Sequence, residues 1–298
     1  MPFAEPFAMS MGSTQSERPD DSDLDMFGLT HVGKVRKENQ DHFLLATVHS
    51  QLVMHGTSLP ESQTLLEPGQ RLATILLVAD GVGGSADGSE ASRLATEAIM
   101  RYVTSTLRCY QTVGTANDSE FMDALRAAAI GAHETVRREA SERLNGREMA
   151  TTLSLGIVVW PWLYVLQVGD SRCYFFLDGQ LQQVTRDQTV AQELVDRGVL
   201  TPERAQTSPL SHVLSSAIGA SEAMPEVSRV NVEQRGGVIL VCSDGLTKHV
   251  SDTEIAECLG SMDSAEQACR TLLDLVLERG GSDNVTLVVG RARKRDDD

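Results

Sequence analysis

The sequence contains no hydrophobic run long enough to cross a membrane. No uninterrupted apolar segment is longer than that of residues 75–79, whereas a transmembrane helix needs about 20 residues. At the N-terminus, no basic stretch precedes an apolar one, as it would in a secretion signal. We therefore expect no membrane association and a cytoplasmic location.

Cysteine is also scarce and irregularly placed. The five cysteines are odd in number, widely separated and never form a Cys-x-x-Cys pair: Cys109, Cys173, Cys242, Cys258 and Cys269. This pattern argues against a disulfide framework and against a thiolate zinc site, and it is typical of a reducing compartment.

Positive charge is the third shortage. Lysine and arginine together number 26 against 42 aspartates and glutamates, so the formal net charge at pH 7 is −16. A surface of this sign repels phosphate backbones, which argues against nucleic-acid binding. The remaining composition, 41% hydrophobic and 23% charged, is that of a globular protein rather than a disordered or collagen-like one.

The chain has the pattern of a single domain behind a flexible lead-in. Residues 1–24 combine prolines, serines and an acidic cluster without hydrophobic periodicity, which predicts a flexible N-terminal segment followed by one domain over residues 25–292. No internal repeat and no long Pro, Gly or Ser linker divides that domain. Residues 48–71 are typical of an insertion between two strands. As a separate prediction, we expect the protein to be a monomer.

Hydrophobic periodicity predicts a buried strand followed by two helices. Residues 73–79 form a short apolar run rich in branched side chains, which is typical of a buried strand. Apolar residues then repeat at intervals of three and four over residues 91–103, with Asp87 or Ser89 as the cap, and again over residues 121–136.

The second half of the chain is rich in strand patterns. A hairpin is expected at Asp178-Gly179, and a helix over residues 265–277. Strands are predicted over residues 151–160, 163–169, 173–177, 180–184, 238–242 and 284–289. Strands in runs with helices in pairs indicate an α+β fold built as a layered sandwich.

Five aspartates lie at the edges of these strands, each beside a small or turn-forming residue: Asp41, Asp80, Asp170, Asp244 and Asp283. Taken singly, each has an ordinary explanation as a turn or capping residue. Taken together, carboxylates at one end of several strands would repel each other unless cations neutralised them. All-oxygen ligation favours hard ions such as Mg²⁺ or Mn²⁺, and two such ions about 3.5–4 Å apart can activate water for displacement at phosphorus.

Two further residues extend this hypothesis. Gly81 has no side chain, so its carbonyl can approach a metal closely. Arg36 precedes Asp41 in the chain and offers a guanidinium fork that can grip two phosphate oxygens. From composition alone, however, an arginine such as Arg36 is most often an ordinary surface residue.

Six segments resemble, in order and rough spacing, the PP2C-type metal-dependent protein serine/threonine phosphatases of the shorter bacterial form: GKVRKENQD, VADGVGG, MATTLSLGIVV, VGDSRCY, VCSDGL and SDNVTLVV. The resemblance extends over residues 27–290. It implies a four-layer αββα sandwich, in which two antiparallel β-sheets pack face to face with helices outside each. It also implies hydrolysis of phosphoserine and phosphothreonine in proteins by metal-activated water, and hence phosphorylated protein substrates and an opposing serine/threonine kinase.

The same resemblance assigns the metal ligands. Asp80 is expected to bridge two Mn²⁺ or Mg²⁺ ions, with the Gly81 carbonyl as its partner. Asp244 and Asp283 are expected to bind the first of these ions. Asp170 resembles the acid that holds a third, weaker ion together with Asp244.

Other roles are implied for residues around the metals. Asp41 resembles an acid that orients metal-bound water, and Arg36 falls on the arginine that binds the substrate phosphate. Thr151 and Thr152 match a threonine pair for which only a structural role is expected.

The sequence departs from the family pattern in two places. Val82 stands where many animal members have a histidine that is assigned as general acid, and valine cannot donate a proton. Gln188 and Thr189 replace the usual histidine and serine in a region that resembles the mobile flap of the family.

Other functions stay open from the sequence. A non-catalytic PP2C-like domain that binds phosphoproteins or regulates a partner would usually lose a ligand acid, yet Asp80, Asp244 and Asp283 are all present. A calcium-binding structural protein would be stabilised by calcium at least as well as by manganese and would release no phosphate. A helix-turn-helix pattern over residues 186–219 is disfavoured as a DNA-binding element by the acidic background.

Overall fold

The computed structural model describes residues 18–49, 71–83, 86–113, 118–143 and 148–294. Most of the predicted insertion over residues 48–71 lies outside these ranges, as does the first part of the predicted flexible segment, residues 1–17.

Two five-stranded antiparallel sheets form the centre of the fold. In spatial order, the first contains β1 (Leu24–His31), β12 (Val285–Ala292), β11 (Val238–Cys242), β8 (Arg172–Leu177) and β9 (Gln180–Gln183). The second contains β10 (Glu226–Asn231), β7 (Trp162–Val168), β6 (Leu153–Val159), β3 (Arg71–Ala79) and β2 (His42–His49). A short ribbon pairs β4 (Gly81–Val82) with β5 (Ala150–Thr151).

The sheets pack face to face through a central hydrophobic cluster. Leu76 and Val165 of the second sheet meet Phe175, Val241 and Val288 of the first sheet there. Every position of β3 is buried, because this strand is covered on both faces. An uninterrupted apolar run is the sequence pattern that such double coverage produces.

Helices cover the outer face of each sheet. The long helices α1 (Ala86–Val113) and α2 (Asp118–Arg143) pack against the second sheet through a separate hydrophobic cluster. Between β9 and β10 lie two short helices, α3 (Val190–Asp196) and α4 (Pro202–Gln206). Three further helices lie on the first sheet: α5 (Asp244–Thr247), α6 (Asp252–Gly260) and α7 (Ala265–Glu278). The predicted four-layer αββα sandwich is therefore confirmed. Among the described residues, no helix combines the length and the apolar character needed to cross a bilayer.

The first and last strands are neighbours. β1 pairs with β12 in antiparallel register, so that Leu24 faces Ala292 and His31 faces Val285. The loop after β1 and the loop before β12 therefore meet at one end of the sandwich. The register of the other pairs brings the C-terminal ends of β3, β7 and β11 and the start of β2 to that same end.

The structure corrects two predictions of local structure. The first helix begins at Ala86, so Asp87 and Ser89 lie inside its first turn instead of preceding it as caps. The predicted strand over residues 151–160 is two strands separated at Thr152. The break arises because the Thr152 N–H donates to the Asp80 carbonyl (2.9 Å). The hairpin prediction is correct, since Asp178 and Gly179 have φ of 49° and 80°, as a two-residue hairpin turn requires.

Part of the segment predicted to be flexible is packed against the domain. The Arg71 guanidinium donates hydrogen bonds to Asp21 and to the Pro19 carbonyl, and Arg235 donates to Asp23. β1 then begins at Leu24. Residues 18–24 therefore belong to the folded part of the chain.

Candidate metal centre

The strand ends meet around a cavity of about 620 Å³. Six of the seven candidate residues line it: Arg36, Asp80, Gly81, Asp170, Asp244 and Asp283. The seventh, Asp41, is only 4% exposed and lies close enough to Asp80 and Asp244 to interact with both carboxyl groups. The structure thus brings together residues from five separate segments of the chain.

The backbone of Asp80 is held by the threonine pair that follows the helices. The Asp80 N–H donates to Thr152 Oγ1 (3.1 Å), and the Asp80 carbonyl accepts from the Thr151 hydroxyl (2.8 Å). The Thr152 hydroxyl also shares a hydrogen bond with Ser171 (2.7 Å), the neighbour of Asp170. Two of the acids are therefore linked through Thr152, which gives this threonine a structural role.

The loop that carries Asp170 is tied to the flap region by Gln188. This buried side chain accepts a hydrogen bond from the Gly169 N–H (2.8 Å) and donates one to the Met224 carbonyl (2.8 Å). Gly169 has φ of 100°, and a Cβ there would lie 2.7 Å from the Thr152 side chain. The glutamine that replaces the family's histidine therefore connects the flap to a candidate metal ligand.

Asp41 is fixed from one side only. Its Oδ2 accepts hydrogen bonds from the hydroxyls of Ser243 (2.8 Å) and Thr286 (2.7 Å). Its Oδ1 is buried and has no hydrogen-bond partner. Burial raises the pKa of Asp41 to about 6, although the two hydroxyl donors work in the opposite direction.

Asn284 is a residue of the site that the sequence patterns did not reveal. Its Oδ1 accepts from the Gln40 N–H (2.9 Å), and its Nδ2 donates to the carbonyls of Val32 and Glu38 (3.0 Å each). The side chain therefore holds the loop that carries Arg36. An asparagine has the donors and the acceptor for such bridging, but the loop it would bridge cannot be read from its neighbours in sequence.

Two cations hold Asp283 in the structure. Arg36 forms a fork on this carboxylate, with Nε 2.7 Å from Oδ1 and Nη2 3.0 Å from Oδ2. Lys248 Nζ lies 2.8 Å from Asp283 Oδ2 and 2.6 Å from Asp244 Oδ2. Burial works to raise the pKa of Asp283, but the hydrogen bonds from Arg36 and Lys248 outweigh it and lower that pKa.

Lys248 is the second residue that the sequence patterns missed. It follows Asp244 by four positions at the end of α5, a spacing that places two side chains side by side on a helix. The Asp-to-Lys spacing of four residues was therefore the sequence signal that could have identified Lys248.

The donor set of the cavity suits hard divalent ions. All candidate ligands offer oxygen, which Mg²⁺ and Mn²⁺ prefer. The buried Oδ1 atoms of Asp41 and Asp244 have no hydrogen-bond partner, so each has an unused acceptor. A Cβ at Gly81 would lie 2.4 Å from the Gly88 carbonyl, so only glycine fits where the carbonyl is a candidate ligand.

The acids line one cavity without surrounding a common point. In the part of the chain that the structure describes, no three His, Cys, Asp or Glu side chains stand in the arrangement of a bound metal. Asp244 and Asp283 meet at Lys248 instead. The chemical types of these residues therefore suit a metal centre. Lys248 lies between two of the candidate ligands, where it competes with an ion for their oxygens.

The metal-free protein is expected to lose stability as the pH rises from about 5 to about 8. Burial, followed by the charge of Asp244, raises the pKa of Asp170 to about 8, and burial raises that of Asp41 to about 6. At a pH between its unfolded and folded pKa values, such a carboxyl is protonated in the folded chain and ionised in the unfolded chain. Its stabilising effect is complete at pH values below the unfolded pKa and is lost as the pH passes the folded pKa. For Asp41 alone the effect is on the order of 3 kcal/mol.

Thermal unfolding in EDTA, followed across this pH range, measures this effect. Asp170→Asn removes one of these buried carboxyls and should flatten the slope. The comparison also cancels the opposite contribution of His42 and His133, whose pKa values are lowered by burial. A wild-type unfolding temperature that is level or rising from pH 5 to pH 8 would contradict the expectation.

Comparison with known proteins gives the family. The family model described as protein phosphatase 2C matches residues 66–279, most of the chain. The chain belongs to the protein phosphatase 2C family. The serine/threonine protein phosphatase PstP of Mycobacterium tuberculosis is 34% identical over 221 residues, which are 73% of this chain and 40% of PstP. Protein phosphatase PhpP of Streptococcus pneumoniae is 29% identical over 270 residues, which are 90% of this chain and 97% of PhpP.

Solved structures of the protein phosphatase 2C family agree with the fold. The crystal structure of the PstP catalytic domain in complex with two manganese ions matches with a TM-score of 0.68 and 28% identity, over 91% of this chain and 99% of that one. The family predicted from the sequence motifs is therefore confirmed. The chain spans about 40% of the length of PstP.

Proposed function

We propose that this protein is a metal-dependent protein serine/threonine phosphatase that hydrolyses phosphoserine and phosphothreonine in phosphorylated proteins. The observation that carries the proposal is the convergence of six candidate residues on one cavity, with Asp41 buried next to them. The PstP catalytic domain, which has the same fold, holds two manganese ions.

Asp80, the Gly81 carbonyl, Asp244 and Asp283 would hold two Mn²⁺ or Mg²⁺ ions, and Asp170 would hold a third with Asp244. When bound, such ions lower the pKa of water and neutralise the charge that develops on the phosphoryl group.

The residues around these ligands position and neutralise the substrate. Arg36 is half exposed at the cavity, and its fork can bind two phosphoryl oxygens once it leaves Asp283. Asp41 can accept a hydrogen bond or a proton from water at Oδ1, since that atom has no partner. Val82 lines the cavity without a donor, so it takes no part in proton transfer.

The decisive experiment is phosphate release from phosphoserine and phosphothreonine peptides in the presence of Mn²⁺. We expect turnover that EDTA abolishes and that added Mn²⁺ restores. Binding of the phosphopeptides without phosphate release would identify a non-catalytic binding domain instead. Stabilisation by Ca²⁺ equal to that by Mn²⁺, again without phosphate release, would favour a calcium-binding structural protein.

Replacing Arg36 by alanine is expected to lower kcat/KM by about 10- to 100-fold. The reason is the loss of a charge-assisted contact worth about 1.5–3 kcal/mol in the transition state. Mn²⁺ affinity, measured by calorimetry, should not fall, since Arg36 competes for Asp283 and does not bind metal. Lys37→Ala, a substitution at the neighbouring exposed position, serves as the control. Equal kcat/KM values for the wild type and R36A would show that Arg36 does not bind the substrate phosphate.

The opposing kinase, the monomeric state and the cytoplasmic location are part of the same proposal. A phosphatase of this specificity acts on the products of a serine/threonine kinase. Four cysteines in the described residues are free and buried: Cys173, Cys242, Cys258 and Cys269. Buried free thiols agree with a reducing compartment.

A further inference from the structure

Lys248 occupies an unusual place for a lysine. Its ammonium lies between two candidate ligands of one ion, 2.6 Å from Asp244 and 2.8 Å from Asp283, and its side chain is only 23% exposed. The chain has three other lysines, all exposed: Lys34, Lys37 and Lys294. Positive charge elsewhere on this protein is thus carried mainly by arginine. At the cavity, a lysine supplies a compact positive charge instead.

The helical geometry holds this ammonium in position. The Lys248 N–H donates to the Asp244 carbonyl (2.9 Å) at the end of α5, so the side chain folds back over the carboxylate one turn earlier. Lysine presents a compact, strongly hydrated charge, unlike the flat fork of arginine. In size and in its preference for oxygen, the ammonium imitates a bound cation.

Asp283 has no free oxygen to offer an ion. Oδ1 accepts from Arg36 Nε (2.7 Å) and from the Asn284 N–H (3.0 Å). Oδ2 accepts from Arg36 Nη2 (3.0 Å) and from Lys248 Nζ (2.8 Å). An ion that binds Asp283 must therefore displace a cation from at least one of its oxygens. At Asp244, Lys248 holds Oδ2, whereas Oδ1 has no hydrogen-bond partner. Lys248 is the residue that contacts both carboxylates.

We propose that Lys248 is a tethered counter-ion of the Asp244–Asp283 pair, which a divalent ion must displace to bind. The lysine keeps the metal-free protein folded by neutralising two neighbouring carboxylates, and it lowers the affinity of the centre for metal by competing for their oxygens. This inference rests on the proposed function, because it assumes that these two acids are metal ligands. It adds a residue of this chain that sets the metal concentration at which the centre fills.

The test compares Mn²⁺ binding by calorimetry for the metal-free wild type, Lys248→Met and Lys37→Met at one ionic strength. K248M keeps the bulk of the side chain and removes its charge, and we expect about 10- to 100-fold tighter Mn²⁺ binding, as the loss of a charge-assisted competitor implies. The unfolding temperature of K248M in EDTA should be lower than that of the wild type. Adding Mn²⁺ should raise the unfolding temperature more in K248M than in the wild type. K37M removes the same charge from an exposed position and should match the wild type within about twofold.

Equal or weaker Mn²⁺ binding by K248M would overturn the inference, as would an unchanged unfolding temperature in EDTA. If K248M folds only when Mn²⁺ is present, the stabilising role is supported. Lys248→Gln, which keeps a donor for both carboxylates, then provides the affinity measurement, with tighter binding expected. If the wild type binds Mn²⁺ and releases phosphate, and K248M and Lys248→Gln bind Mn²⁺ with the same affinity as the wild type, the proposed role of Lys248 is refuted. The proposed function is then unaffected. A wild type that neither binds Mn²⁺ nor releases phosphate would refute the proposed function as well.

Discussion

Replacing Asp80 by asparagine is expected to abolish phosphate release and, at the same time, to make the metal-free protein more stable. The loss of metal-held charge stabilisation, several kcal/mol, corresponds to a rate reduction of about 10³-fold or more. Burial, together with the carboxylates of Asp41, Asp244, Asp170 and Asp283, raises the pKa of Asp80 well above its usual value. An amide relieves this repulsion, and we expect the unfolding temperature in EDTA at pH 8 to rise by several degrees.

The chain offers a matched control for this change. Asp178 also precedes a glycine, but it is exposed in the β8–β9 hairpin, where its carboxylate accepts a hydrogen bond from the exposed Gln234 side chain (2.8 Å). Asp178→Asn should leave activity unchanged and stability within about 0.5 kcal/mol. If D80N keeps more than a tenth of wild-type turnover, Asp80 is not a bridging ligand. If D80N is less stable in EDTA, the account of carboxylate repulsion is wrong.

Replacing Asn284 by alanine is expected to destabilise the protein by about 3–5 kcal/mol. The change leaves the buried Gln40 N–H and the part-buried carbonyls of Val32 and Glu38 without their partner. An unsatisfied polar group costs about 1–3 kcal/mol where it is fully buried and less where water reaches it. The loop that carries Arg36 should loosen too, with kcat/KM falling by at least about 10-fold. Chemical denaturation measures the first effect and phosphate release the second.

A substitution at a surface asparagine serves as the control. It measures what the loss of an asparagine side chain costs in stability when no distant loop depends on it. Asn231 is exposed and accepts one local hydrogen bond, from the Glu233 N–H (2.8 Å). Asn231→Ala should therefore cost less than about 1 kcal/mol and leave turnover unchanged. Equal denaturation midpoints for N284A and N231A would show that the Asn284 side chain does not hold the loop.

The layers and the meeting of the acids were predictable from sequence because each depends on strong local signals. Apolar runs ending at an aspartate indicated the strand ends, and a layered antiparallel fold leaves few ways to arrange them. The Asp178-Gly179 hairpin is determined by two residues alone. The motif order then supplied the family.

What escaped prediction depends on contacts between distant segments. The strand over residues 151–160 breaks at Thr152 because its N–H pairs with Asp80, and no periodicity in either segment shows this. Asn284 and Gln188 act on backbone groups of other loops, which only the folded chain brings near. The roles assigned to Arg36, Asp41 and the ligand acids stay predictions until metal binding and turnover are measured.

The pairing of β1 with β12 makes the two extremities of the fold adjacent at the side remote from the cavity. Paired residues such as Leu24 and Ala292 have Cα atoms about 4.5–5.5 Å apart in antiparallel sheets. A short linker could therefore join them, and new termini opened in the β8–β9 hairpin would yield a circular permutant with the cavity intact. Reporter or targeting modules fused at either extremity would likewise emerge away from the cavity.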